Sequence, residues 1–179
     1  MPPLVARAQR IADDLSFTHS SSPEAGRLLH ALAAMRGRER VAETGTGVGY
    51  GAAWIVSALD PAVPFFTAER DEQRAAAAAE LFAEDENVHV LHGDWHDVLP
   101  AHAPFDLLFH DGSKRRPDLD GEETLGILSP RGAVVLDDLT PDRGGRDEVR
   151  EFWLGHPELA ASEIRVSDQE AVIVAVRAR

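Results

Sequence analysis

The chain has 179 residues, 44% of them apolar, with 31 acidic against 18 basic side chains and a formal net charge of −13. That is enough for one domain with a sizeable core and too little for two, and so acidic a surface repels phosphate backbones, so no nucleic-acid partner is expected. The absence of cysteine excludes disulfides, thiolate metal sites and cysteine nucleophiles together. There is no run of about 18 apolar residues, so no membrane span is expected. The N-terminus lacks the charged-then-apolar layout of a signal peptide, which predicts a soluble, cytoplasmic protein. The one tight basic cluster, Lys114-Arg115-Arg116, is too short to make a groove.

In chain order, Leu4, Val5, Ala8, Ile11, Ala12 and Leu15 recur with a helical period. A polar break from Phe17 to Ser22 follows. Ser22 then reads as an N-cap with Pro23 at the first helical position, for a helix through Leu28, Leu29, Leu32 and Met35 that stops near Gly37. Strands are predicted at Arg40–Glu43, Pro64–Glu69, Val88–His92, Phe105–His110 and Ala133–Asp137. Between them lie a helix carrying Trp54, Ile55 and Leu59, an alanine-rich helix capped by Asp71, and a helix over Asp118–Leu128. Gly144-Gly145 precedes a helix through Val149, Phe152 and Trp153. Two more strands follow, Glu163–Ser167 and Ala171–Arg177, joined by only three polar residues and therefore antiparallel. The alternation predicts a doubly wound α/β sandwich. Residues 1–37 form N-terminal helices on a Rossmann-like core of residues 38–179, the whole 1–179 being a single domain.

The stretch from Arg40 to Tyr50 is the most informative. A short apolar run ends in Glu43, and Gly45, Gly47 and Gly49 alternate before a helix. Glycines there let main-chain N–H groups approach a nucleotide-like ligand. Two registers are open. Gly47 to Ala52 fits the dinucleotide pattern G-x-G-x-x-A, but starts four residues past the strand end; read from that end, the pattern is Glu-x-Gly-x-Gly-x-Gly. A turn that binds nothing is the third possibility.

Ligands of open α/β sheets bind at the carboxyl ends of the strands. All five such ends carry an acid: Glu43, Glu69, Asp94 just past the third strand, Asp111, and the pair Asp137-Asp138. Glu69 is placed to accept both ribose hydroxyls of an adenosine group. Asp94 and Trp95 are placed to address an adenine, by its amine and its flat face; the alternative for Trp95 is a buried helix residue. Asp111, Asp137 and Asp138 would repel one another unless a hard divalent ion, Mg²⁺ or Ca²⁺ with Mn²⁺ as a further option, joined them. Lys114 is a candidate general base, or else an exposed loop lysine. His92 and His96 need not share a face, and His110 reads as packing. No metalloprotease motif or nucleophile elbow is present.

In this order and spacing the segments Ser22–Leu29, Val41–Tyr50, Val90–Pro100, Phe105–Lys114 and Gly132–Asp138 resemble the cation-dependent O-methyltransferases, the group that includes catechol and caffeoyl-CoA O-methyltransferases. The resemblance runs from about Ser21 to Ala178. It implies a seven-stranded, mostly parallel sheet closed by a C-terminal antiparallel hairpin. It implies S-adenosylmethionine (SAM) as cofactor, bound by Glu43, Gly45, Thr46, Gly47, Tyr50, Glu69, Arg70, Asp94, Trp95 and Asp111, with Glu43 orienting the cationic amino-acid end. Asp111, Asp137 and Asp138 would ligate the metal, with Asp111 and Lys114 as catalytic residues. The implied reaction is in-line methyl transfer to a hydroxyl of a small catechol-like or phenolic acceptor, the metal holding vicinal oxygens and Lys114 taking the proton. Asp138 stands where the family usually has asparagine, Gly112-Ser113 replaces a bulkier pair, and Pro141 to Gly145 replaces a longer loop. The apolar N-terminal helix hints at a homodimer. The rivals are a metal-independent SAM methyltransferase, a non-catalytic SAM-binding protein and a nicotinamide oxidoreductase.

Overall fold

A computed structural model describes residues 1–111, 117–142 and 144–178, without the side chains of residues 117–119. The helices are α1 (Pro3–Asp14), α2 (Pro23–Ala33), α3 (Tyr50–Val56), α4 (Glu72–Leu81), α5 (Trp95–Val98), α6 (Pro117–Gly126) and α7 (Glu148–Gly155). The strands are β1 (Val41–Thr44), β2 (Phe65–Glu69), β3 (Val88–His92), β4 (Phe105–His110), β5 (Leu128–Leu139), β6 (Leu159–Arg165) and β7 (Ala171–Arg177). They form one sheet in the order β3-β2-β1-β4-β5-β7-β6. Pairing is parallel from β3 to β5, and β7 runs antiparallel to both β5 and β6. This is the seven-stranded, Rossmann-like arrangement expected from the alternation of elements.

Strand alternation divides the core in two. Val41, Phe65, Leu107, Phe109 and Val135 face the layer of α1 to α4, while Ala42, Phe66, Leu108, Val134 and Leu136 face Trp95, Leu125 and Trp153 of α5 to α7. Both faces are covered, so the central strands read as continuous apolar runs, as parallel strands do. The helices begin where capping chemistry allows. Ser22, Asp71, Asp94 and Asp147 each accept a backbone N–H of the first turn of α2, α4, α5 and α7. In α1 the apolar positions Val5, Ala8 and Ala12 are buried against α3 and α4, so the face that hinted at a dimer is used within the chain. Among the described residues no helix is long and apolar enough to cross a membrane.

Several boundaries differ from the sequence reading; β1 is shifted by one residue and Leu59 lies past the end of α3. α2 ends at Ala33, leaving Met35 exposed outside it. Leu128 opens β5 rather than ending α6, and β5 is 12 residues long. Ser129-Pro130-Arg131-Gly132 looks like a loop, yet it is a strand distorted by Arg131 at φ 65°, with a register shift opposite Phe105 and Leu107. β6 is displaced to Leu159–Arg165, because Val166 and Ser167 instead turn back to donate to the Glu170 carbonyl.

Candidate active site

β1 brings Glu43 and Thr44 to the carboxyl edge, where the strand order reverses between β1 and β4. The chain then turns through Gly45, Gly47 and Gly49 at φ 82°, 54° and 90°, values that favour glycine. Their small size also serves the protein's own packing. A Cβ on Gly47 would lie 2.9 Å from the Phe17 ring, and one on Gly49 would lie 3.0 Å from Leu81 and Phe82. At Gly51 it would meet the Glu43 Oε1 at 2.7 Å.

Glu43 is 1% exposed. Its Oε2 accepts from the Thr67 hydroxyl at 2.6 Å, and Thr67 in turn pairs with Thr46. Burial, and to a smaller degree the Glu69 charge, push the Glu43 carboxyl up to about 8, against the opposing hydrogen bonds from Thr67 and Ala52. Glu69 ends β2 and is held by four donors. Its Oε2 accepts from Gly47 N at 2.8 Å, and its Oε1 from Asp71 N at 2.9 Å and from Arg74 at 2.8 and 3.2 Å. Arg74 lies over the Phe17 ring, 5.6 Å from its centroid. The segment between α1 and α2 is therefore tied to the glycine turn through one arginine.

Asp94 caps α5. Its Oδ1 accepts from His96 N at 3.1 Å and pairs with His96 Nδ1 at 2.6 Å, and its Oδ2 lies 3.5 Å from Arg70. Although burial opposes it, the hydrogen bonds and charge of His96, with Arg70, hold the Asp94 carboxyl below its usual range. Trp95 is 6% exposed and packs in the core. One indole face is covered by the His96 ring at 3.7 Å, and His110 meets it edge-on. His110 is buried and pairs with the Thr44 hydroxyl at 3.0 Å.

The second group sits where β4 and β5 end. Adjacent strand residues ordinarily face opposite sides, but Asp137 and Asp138 do not. The β5–β7 register slips between Leu136 and Leu139, and Asp138 adopts φ 62°, which aspartate tolerates better than most residues. One carboxylate oxygen from each of Asp111, Asp137 and Asp138 thereby lies within 4.8 Å of the others. Asp137 is fully buried, and burial, together with the neighbouring Glu170 and Asp138 carboxyls, pushes its own carboxyl up to about 7. Three carboxylates and no nitrogen or sulfur make a donor set that fits a hard divalent cation. Lys114, Gly112 and Ser113 lie outside the described residues.

Both groups open on one cavity of about 920 Å³, lined by Glu43, Gly45, Thr46, Gly47, Tyr50, Glu69, Arg70, Asp94, Trp95, Asp111 and Asp138. Asp137 stands behind that wall. The same cavity meets residues that sequence reasoning missed: Phe17, His19, Ser20 and Ser21 before α2, Arg74 on α4, and His96, Asp120 and Glu123. The three-residue spacing of Asp120 and Glu123 on a helix marked a shared face. Nothing local marked Glu170 as a neighbour of Asp137.

A mixed seven-stranded sheet with a glycine turn at its switch point and acids on its carboxyl edge defines a SAM-dependent methyltransferase fold. A family described as "methyltransferase domain" matches residues 42–139, and the chain belongs to it. A protein-L-isoaspartate O-methyltransferase of Brucella anthropi is 41% identical over 120 residues, covering 65% of this chain and 52% of that protein. The O-methyltransferase TomG of Streptomyces achromogenes, involved in tomaymycin synthesis and solved with SAM, superposes with a TM-score of 0.83 at 26% identity, covering 100% of this chain and 91% of TomG. An O-methyltransferase of Bacillus cereus, solved with SAH, superposes at 0.85 with 21% identity over 99% and 91% of the two chains, a likeness of fold. The chain spans about half of the Brucella protein and 62% of the mycobacterial relatives it matches.

Proposed function

We propose that this chain transfers a methyl group from SAM to a hydroxyl of a small acceptor, assisted by a divalent cation, Mg²⁺ first among the candidates. The observation that carries this reading is the meeting of Asp111, Asp137 and Asp138 beside the cavity under the glycine turn. When bound, SAM supplies an electrophilic methyl group, and a cation held by those three aspartates supplies charge that favours the ionised hydroxyl. The protein's own residues do the rest. Glu69, fixed by Gly47, Asp71 and Arg74, presents a carboxylate to the ribose; Asp94 addresses the adenine edge; and Glu43, beneath the loop, faces the ammonium end of the cofactor. Lys114 is assigned the acceptor's proton.

Metal-independent transfer is a second reading, favoured by the burial of Asp137 beside the acids Glu170 and Asp138, where a proton rather than a cation could relieve the crowding of charge. Melting curves with SAM, SAH, NADH and Mg²⁺, alone and combined, separate the readings, since a ligand of the native state raises the midpoint. SAM and SAH are expected to raise it and NADH to leave it unchanged. A further Mg²⁺-dependent rise, together with turnover of a catechol panel that EDTA abolishes, supports the metal reading. Equal turnover in excess EDTA defeats it.

A further inference from the structure

We infer a second cation site on the wall of the same cavity, built by His96, Asp120 and Glu123 and suited to a transition-metal ion such as Zn²⁺ rather than to Mg²⁺. The three side chains each bring one ligand atom to within 4.8 Å of the others, and they share no residue with the aspartate group. The His96 Nε2 lies 3.4 Å from Asp120 Oδ1 and 3.0 Å from Glu123 Oε2. A tetrahedral ion with bonds of about 2.0–2.1 Å needs ligands about 3.3 Å apart, close to both of these separations.

An observation outside the trio points the same way. Asp94, which ligates nothing here, pairs with the other ring nitrogen, Nδ1, at 2.6 Å, and the Trp95 indole lies against the ring at 3.7 Å. Ring plane and rotation are thus fixed with Nε2 aimed at two carboxylates. A carboxylate behind the imidazole is the usual support of a metal-ligating histidine. One imidazole nitrogen with two carboxylates favours zinc or its neighbours over magnesium, which prefers oxygen and retains its waters. Asp120 is 7% exposed and Glu123 is on the open side, so the site has a buried anchor and a route of entry. The inference stands whether or not the methyl-transfer reading holds.

The test is a Zn²⁺ titration of the metal-stripped full chain against a chromophoric chelator, with Co²⁺ absorption as a second readout, in the presence of Mg²⁺. Wild type is compared with Glu123→Gln, His96→Gln and Asp137→Asn. Glu123 is more than half exposed, so Glu123→Gln tests the site with little risk to folding. The expected result is one zinc equivalent that Mg²⁺ does not displace and that Asp137→Asn retains. Glu123→Gln and His96→Gln should each weaken it by roughly tenfold or more, with loss of the nitrogen-ligated Co²⁺ bands. If both variants bind Zn²⁺ like wild type, or if wild type binds none more tightly than about 1 µM, the site is refuted, because the trio is then a charged imidazole between acids.

Discussion

Replacing Glu43 with glutamine keeps the shape of the side chain and removes its titration. In the unfolded chain this carboxyl releases its proton near 4.5, and in the folded chain at about 8, chiefly because it is buried. Between those values the folded state binds more protons than the unfolded one, so this group's contribution is fully present below pH 4.5 and is lost as pH rises toward 8. The limiting slope is about 1.4 kcal/mol per pH unit, or roughly 2.7 kcal/mol between pH 5 and pH 7. For a chain of this size that corresponds to a melting shift of about 5–11 °C. The assay is thermal unfolding of wild type and Glu43→Gln at half-unit steps from pH 5 to pH 9, reading the difference between the two. Titrations common to both cancel, and the gap should grow in favour of the variant up to about pH 8 and then level off. A gap that stays constant across that range would show that water reaches Glu43 and that burial does not set its charge.

With Glu43 at the cofactor's ammonium end, as proposed, SAM affinity should rise by up to about tenfold per unit as pH rises toward 8, with release of a proton on binding, both lost in Glu43→Gln. Calorimetry in buffers of different ionisation heat checks this. Gly51→Ala places a Cβ 2.7 Å from Glu43 Oε1 and 2.8 Å from Phe109 Cε1, and should cost about 1–3 kcal/mol by urea unfolding. A neutral outcome would mean that α3 shifts freely. Arg150 joins Asp147 and Glu163 to the Thr140 carbonyl, at 2.8 Å from the latter two. Arg150→Ala should cost about 1–3 kcal/mol, and Arg150→Lys should recover less than half of the loss, because one ammonium cannot span a fork of three partners. Full recovery by lysine would refute that geometry. Asp137→Asn should abolish metal-stimulated turnover while SAM still raises the melting midpoint; loss of both effects would mean that the substitution disrupts the fold.

The fold was legible because its determinants are local. Apolar runs such as Phe65–Ala68 and Leu107–Phe109 are long enough to read as buried strands, and Ser22 and Asp71 cap their helices through their own neighbours. The errors fell where a distant partner overrides local chemistry. Pro130 and Gly132 punctuate a loop in isolation, but pairing with β4 makes them strand, and Gly132 fits because a Cβ there would lie 2.8 Å from the Phe105 carbonyl. The acids at the strand ends were legible because a parallel sheet brings all its carboxyl ends to one edge. That Asp137 and Asp138 share a side was not, since it depends on a register slip against a strand more than thirty residues further along. His96, Asp120 and Glu123 come from two elements with β4 between them in sequence, and no spacing rule joins them.

The bulge at Asp137 and Asp138 also fixes when the site can come into being. Its register is set by Leu136 against Ile173 and Leu139 against Ala171, on a strand that follows β5 only after α7 and β6. A nascent chain that has emerged only through β4 already holds the glycine turn and the acids of the first three strand ends, but not the paired carboxylates. A chain without β7 would therefore keep the glycine turn and its acids yet lack the partner strand that brings Asp137 and Asp138 to one side.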